Sequence, residues 1–249
     1  MLKKRIIISL TFQDGVLFRT KNFFPDYRYT KNFVDLWNAD EIILIDVSNK
    51  ENKLNNKFIE IVNFFITNCH LPISVGGGID SIVSAKKIFD LGVERIILNS
   101  ASYYDQNITN KICETYGSSS VIHSLDIKKI KDEYYVYINN GKDRVKKNIL
   151  ECCNFINNLN VGEILINSID NDGALMGFDI ELIKFVSKNV SLPIIVQGGA
   201  GSWDHFFKVL SIENVNGACT QNIYHFTESS LLALKEYLFK RGINIRYDN

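Results

Sequence analysis

Short, almost uninterrupted apolar runs alternate along this chain with longer segments whose apolar positions recur at helical spacing. The short runs begin near Arg5, Glu41, Ile73, Arg95, Val121, Glu163, Ile194 and Gly217. They are rich in β-branched residues, and their near-continuous hydrophobicity predicts parallel strands covered on both faces. Between them, residues 81–91 predict a helix: Ile82, Ala85, Ile88, Phe89 and Leu91 share an apolar face, and Gly92 follows as a stop. Residues 231–239 predict another, with Thr227 and Ser229 as candidate caps. Eight strands, each followed by a helix, predict an α/β fold, a (β/α)8 TIM barrel, with an open doubly wound sheet as runner-up.

The pattern also repeats. Leu71-Pro72-Ile73-Ser74-Val75-Gly76-Gly77-Gly78 returns 121 residues later as Leu192-Pro193-Ile194-Ile195-Val196-Gln197-Gly198-Gly199. Glu41-Ile42-Ile43-Leu44-Ile45-Asp46 returns 122 residues later as Glu163-Ile164-Leu165-Ile166-Asn167-Ser168, and Ser9-Leu10-Thr11 corresponds to Ser124-Leu125-Asp126. Such duplication favours closure: two half-barrels, about residues 1–120 and 121–249, in one domain spanning 1–249. Only three prolines and no Ser/Gly-rich linker leave no domain boundary. Two loops look elaborated, residues 12–24 after the first strand and 127–148 after the fifth. The second holds Glu133-Tyr134-Tyr135-Val136-Tyr137-Ile138 and then Asn139-Asn140-Gly141, a hairpin signal. Both fall at the C-terminal mouth, where barrel enzymes keep their active sites.

Composition narrows the function. The chain has 249 residues, the usual length of one such barrel, and 46% of them are hydrophobic, enough for a large core. Lys+Arg and Asp+Glu both number 28, and this balance argues against a general nucleic-acid or membrane-surface binder. Cys69, Cys113, Cys152, Cys153 and Cys219 show no CxxC spacing, which points to a reducing, cytoplasmic setting. His70, His123, His205 and His225 are scattered without metal-ligand spacing, so no metal or cofactor is expected. Met1-Leu2-Lys3-Lys4 and the apolar run behind it imitate a signal peptide. The run is short, and Gln13-Asp14-Gly15 interrupts it without a cleavage site, so it reads as the first strand. No stretch is long and apolar enough to span a membrane.

Candidate chemistry gathers at strand ends. Gly76-Gly77-Gly78 and Gly198-Gly199-Ala200-Gly201 sit at strand-to-helix turns, where backbone N–H groups can approach an anion. Asn99-Ser100 ends the fourth strand beside the first cluster, and Gln221-Asn222 is its counterpart in the second half. Two such corners suggest a small substrate with two phosphates or other anionic ends. Asp126 ends the fifth strand and is the candidate general acid/base, unless it merely caps a helix or pairs with Lys128 or Lys129. Its counterpart is Thr11, which cannot serve as a carboxylate; Asp14 lies three residues on, in the loop. Arg19 could close over an anion, and Asp172-Gly173 could cap a phosphate-binding turn, with Asp170 facing away. At the other end Arg5, Glu41, Arg95 and Glu163 begin four strands and could form an alternating ring, or could simply be solvated.

The residues resemble a known family over essentially the whole chain: HisF, the cyclase subunit of imidazole glycerol phosphate synthase. The resemblance is carried by Lys4-Arg5-Ile6-Ile7, Val75-Gly76-Gly77-Gly78-Ile79, Gly162-Glu163-Ile164-Leu165, Ser168-Ile169-Asp170, Asp172-Gly173, Leu192-Pro193-Ile194-Ile195, Gly198-Gly199-Ala200-Gly201, His225-Phe226 and Leu234-Lys235-Glu236-Tyr237-Leu238. It implies a barrel whose N-terminal face receives a glutaminase subunit, and an interior that carries ammonia to a bisphosphorylated ribulosyl substrate. It implies that Arg5, Glu41, Arg95 and Glu163 gate ammonia, with Arg95 where a lysine is usual. It implies that Gly78, Asn99 and Ser100 hold one phosphate, that Asp172, Gly173, Gly199, Gln221 and Asn222 hold the other, and that Arg19 contacts substrate.

The chain departs from the family around the substrate. Of the family's two aspartates only Asp126 is kept, and Thr11 stands for the other. Gln197, Gln221 and Asn222 replace smaller residues, and Asn167 replaces a threonine. These departures favour a HisF-like paralogue of surface-polysaccharide synthesis, which with a glutaminase and a separate sugar amidotransferase converts an acetamido to an acetamidino group. The alternatives are a working cyclase of histidine biosynthesis and a non-catalytic scaffold that activates a glutaminase.

Overall fold

The structure, a computed structural model, describes residues 3–28, 38–48, 53–221 and 230–247. Eight parallel strands close on themselves: β1 (Arg5–Gln13), β4 (Glu41–Asp46), β5 (Ile73–Gly76), β6 (Arg95–Leu98), β7 (Val121–Ile130), β10 (Glu163–Ser168), β11 (Ile194–Gln197) and β12 (Val215–Thr220). The pairing of β7 with β10 and of β12 with β1 completes the ring. The runner-up open sheet is thereby excluded. The expected strand starts hold, except that the last strand begins at Val215, two residues before Gly217.

Helices wrap the ring: α1 (Asn56–Asn68), α2 (Ile82–Phe89), α3 (Ser100–Tyr104), α4 (Gln106–Tyr116), α5 (Ile149–Asn157), α6 (Ile180–Asn189), α7 (Trp203–Leu210) and α8 (Ser230–Lys240). The α2 start is fixed by a capping box in which Ser81 and Ser84 satisfy each other's backbone N–H, and Gly92 turns the chain with a φ of +96°. The same device, Asn148 with Glu151, opens α5. Thr227, Ser229, His225, Phe226 and Asn222 lie outside the described residues.

Alternation along each strand sorts side chains into two sets. On β1, Ile6, Ile8, Leu10 and Phe12 face the helices and join one continuous cluster with Phe58, Val62 and Phe65 of α1. Arg5, Ile7, Ser9 and Thr11 face the barrel axis. The interior is thus layered. A charged layer lies at the base, then an apolar layer of Ile7, Ile43, Ile97, Ile122, Leu165, Ile195 and Cys219, then a polar layer at the mouth. The apolar layer fills the bore as a packed core.

The two elaborated loops are extensions of barrel strands. β1 runs on past the mouth to pair with β2 (Val16–Lys21), which pairs in turn with β3 (Phe24–Arg28). Asp14 and Gly15 make the turn with φ of +50° and +80°, the twist a two-residue hairpin needs. β7 likewise continues to Ile130, folds back as β8 (Glu133–Ile138), and turns again at Asn139-Asn140-Gly141 into β9 (Asp143–Arg144). The hairpin signal at Asn139 is therefore real, but it joins the outer pair; the strand that rises from the barrel turns earlier, at Lys131.

Candidate active site at the barrel mouth and a charged ring at its base

The mouth holds a cavity of about 140 Å³ lined by Thr11, Asp46, Gly76, Gly77, Gly78, Asn99, Ser100, Asp126, Asn167, Asp172 and Gln197. A smaller one of about 30 Å³ shares Asp172 and Gln197 with it and is also lined by Gly173, Gly198, Gly199 and Gln221. The two glycine-rich corners expected from the repeat thus open into one site. The glycines are required by close approach. A Cβ on Gly77, whose φ is +104°, would sit 2.2 Å from the Asp46 carbonyl oxygen, and one on Gly199, at φ +102°, would sit 2.0 Å from that of Gly177. Gly77→Ala is expected to cost ~3 kcal/mol or more in a denaturant melt. Gly242→Ala, at φ +83° with nothing within 4 Å of the added carbon, supplies the control and should lose only ~1–2 kcal/mol.

Asp126 is set by its strand neighbours. It accepts hydrogen bonds from Asn99 Nδ2 (3.0 Å), Ser124 Oγ (3.1 Å) and Asn167 Nδ2 (3.4 Å). Lys128 and Lys129 do not pair with it; Lys129 reaches Glu181 instead. Burial pushes the Asp126 carboxyl up to about 7, helped by the charge of Asp172 and opposed by the Ser124 and Asn167 hydrogen bonds. A carboxyl titrating there is suited to give and take protons near neutral pH. Asn99, expected at a phosphate, instead spends its amide on Asp126 and on the Ser124 carbonyl oxygen (3.2 Å). Ser100 faces the cavity and its hydroxyl accepts from the Asn139 N–H at 3.0 Å, tying the β8–β9 turn to this corner.

Thr11 also lines the mouth, four strands around the ring from Asp126, and is only 5% exposed. Asp14 sits at the tip of the β1–β2 hairpin, its N–H on Ser48 Oγ, and does not line either cavity. Asp46 is the acid that sequence reasoning missed. It ends β4 at the mouth, accepts from the Ser48 N–H at 3.0 Å, and burial raises its pKa. The repeat held the signal, since Asp46 corresponds to Ser168 and so marks a second asymmetry between the halves.

In the second corner Asp172 holds the first loop. Its carboxylate accepts from the Phe23 N–H (3.1 Å) and its carbonyl from the Asn22 N–H (3.1 Å). Burial raises its pKa against the opposing effects of the Phe23 N–H, the Thr20 hydroxyl and the Arg19 charge. Gly173 lets Thr20 pass: a Cβ there would meet the Thr20 carbonyl at 2.2 Å. Gln221 donates to the Phe18 carbonyl at 2.6 Å. Asp170 faces away and accepts from the Lys129 N–H, as its alternation with Asp172 implied.

At the base the expected ring is closed. Arg5 bridges Glu41 (2.9 Å) and Glu163 (2.5 Å), and Arg95 bridges the same two carboxylates, Glu163 at 2.6 Å and Glu41 by a shorter contact. Burial works against the Arg5 charge, but Glu163 and Glu41 more than offset it and raise its pKa. All four side chains are mostly buried, so they are not simply solvated.

Comparison with known proteins adds the family. The model for a histidine biosynthesis protein matches residues 6–230. Imidazole glycerol phosphate synthase subunit HisF of Chlorobium phaeobacteroides (strain BS1) is 32% identical over 252 residues, covering 99% of this chain and all of its own. The same subunit of Chlorobium phaeovibrioides is 33% identical over 255 residues, and that of a Hydrogenobaculum species is 31% identical over 252, at the same coverage. The chain belongs to the HisF family. It is therefore a member of an enzyme family whose named relatives are one subunit of a synthase. Among the described residues of this HisF family member, no helix is long and apolar enough to cross a membrane, and no group of three His, Cys, Asp or Glu could hold a metal.

Proposed function

We propose that this protein is the synthase subunit of a two-protein glutamine amidotransferase and acts as the cyclase subunit of imidazole glycerol phosphate synthase. One observation carries the reading: a closed ring of buried charges and a buried carboxylate lie at opposite ends of one apolar bore. A glutaminase docked on the N-terminal face would release ammonia at the ring, and parting of one ion pair would admit it. The apolar layer favours the neutral molecule over the ammonium ion, whose desolvation is costly. At the mouth Asp126 moves protons, Gly78 and Ser100 hold one phosphate, and Gly173, Gly199 and Gln221 hold the other. Arg19 covers the substrate, while Asn99 positions Asp126.

Thr11 favours a second reading. It is buried in the mouth where the family's other aspartate is expected, and Asp14 does not line the cavity beside it. A general acid/base group typically contributes ~10²–10⁴-fold. On this reading the acceptor is an acetamido sugar, and a separate sugar amidotransferase completes the reaction. The test is growth of a histidine auxotroph lacking the cyclase, with purified protein assayed on the bisphosphorylated ribulosyl substrate and ammonium salt. Growth and turnover are expected. Failure of both, with activity appearing in Thr11→Asp, would overturn the cyclase reading and favour the second.

A further inference from the structure

Two buried carbonyl oxygens at the mouth have no role in the chemistry described so far. Asn167 on β10 is the in-register partner of Asp126 on β7 on one side and of Gln197 on β11 on the other, so the three side chains form one rung. Asn167 is 6% exposed. Its Nδ2 donates to Asp126, which turns its Oδ1 away from the carboxylate. Among the described residues no donor reaches either that oxygen or Gln197 Oε1, and both are sealed from solvent. A buried carbonyl without a partner costs about 1–3 kcal/mol, and here two are aligned beside a carboxylate.

We propose that the Asp126 carboxylate, Asn167 Oδ1 and Gln197 Oε1 form a binding site for ammonia, held as the ammonium ion, where the apolar layer opens into the mouth. The proposal rests on ammonia entering through the ring. Leu165 and Ile195, two residues earlier on the same strands, belong to the apolar layer, so on β10 and β11 Asn167 and Gln197 are the first polar positions above it. The rung's buried atoms without a partner are both acceptors. An anion would be repelled, whereas ammonium carries N–H donors enough for all three oxygens. Because burial brings the Asp126 carboxyl to about 7, a substantial fraction is protonated at neutral pH. Neutral ammonia arriving from below takes that proton: an N–H bond forms as the Asp126 O–H bond breaks, giving ammonium and carboxylate. The reverse transfer releases ammonia as a nucleophile when the acceptor is seated, so nitrogen waits in a form that cannot recross the apolar layer.

The test uses thallium(I), a heavy stand-in for ammonium. Crystals grown without ammonium are soaked in thallium(I) acetate, alone and with excess ammonium or potassium. The expected result is an anomalous peak ~3 Å from Asn167 Oδ1 and Gln197 Oε1, as for a polar contact, erased by ammonium. In solution, thallium NMR titrations displaced by ammonium should show binding weakened ~10-fold or more in Asn167→Leu and in Gln197→Met, the loss of about one charged hydrogen bond. Thermal melts establish that each variant is folded. Absence of a peak on this rung, unchanged affinity in both folded variants, or displacement by potassium as readily as by ammonium would overturn the proposal. Stimulation of a glutaminase, measured separately, distinguishes that failure from failure of the amidotransferase reading.

Discussion

Asp126→Asn should lower ammonia-dependent turnover by ~10²–10⁴-fold while leaving the protein more stable at neutral pH. The two effects have one cause. Asp126 is buried among Asn99, Ser124 and Asn167, and among the described residues no cation pairs with it. Its folded pKa therefore lies near 7, above its ordinary value of 3.8. A carboxyl raised in this way binds its proton more tightly folded than unfolded. Its stabilising contribution is complete below the unfolded value and is lost as pH rises from about 4 through 7. Above that range the wild type holds a buried negative charge that asparagine lacks, and the difference is on the order of a few kcal/mol. Melts of the two proteins should therefore diverge between pH 5 and pH 8, with the variant the more stable on the alkaline side. Parallel melts across this window would remove desolvation as the source of the pKa. Undiminished turnover in the variant would remove Asp126 from the chemistry.

Arg5→Met should be the most damaging single change at the base. It leaves Glu41 and Glu163 sharing only Arg95 in a mostly buried layer, directly beneath Ile7 and Ile43. Removing one partner from a buried pair strands the other charge, at about 3–5 kcal/mol. Replacing both members is far cheaper because nothing is left uncompensated. Arg5→Met combined with Glu41→Leu leaves the Arg95–Glu163 pair intact and should recover most of the loss. Chemical denaturation of the two single variants and the double variant measures the coupling. If the double variant is destabilised by the sum of the singles, the ring is not a single electrostatic unit.

The barrel was legible because parallel strands buried on both faces must be apolar throughout, so Arg5, Glu41, Arg95 and Glu163 stand out as charges at the feet of such runs. Their ring followed from topology, and Asp126 from its place at a strand end. Other features depend on which strands become neighbours. Asn99 belongs to Asp126 because the β6 end lies beside β7, and Asp172 holds Asn22 and Phe23 because the first loop folds across the mouth. Neither contact leaves a trace in local sequence. The first loop carries no hairpin signal and the second carries one only at Asn139-Asn140-Gly141, because strand periodicity fades where β1 and β7 leave the core although cross-strand pairing continues. The preference for a glycan-modifying paralogue came from Thr11 and the other mouth substitutions, and the named relatives do not share that assignment.

The eight residues from Arg5 to Phe12 are all buried, alternately toward the axis and toward the helices. Strand side chains have a period of two, so a one-residue slip exchanges the two sets. It would put Ile6 into the ring, Phe12 into the mouth, and Arg5 and Thr11 among the helices. An insertion within β1 therefore puts the ring and the mouth out of phase with each other, although they lie at opposite ends of the barrel. The hairpin beyond Gln13 is free of that register but tied to the mouth through Asp172, which holds Asn22 and Phe23, so a change in its length alters the mouth and leaves the ring in place.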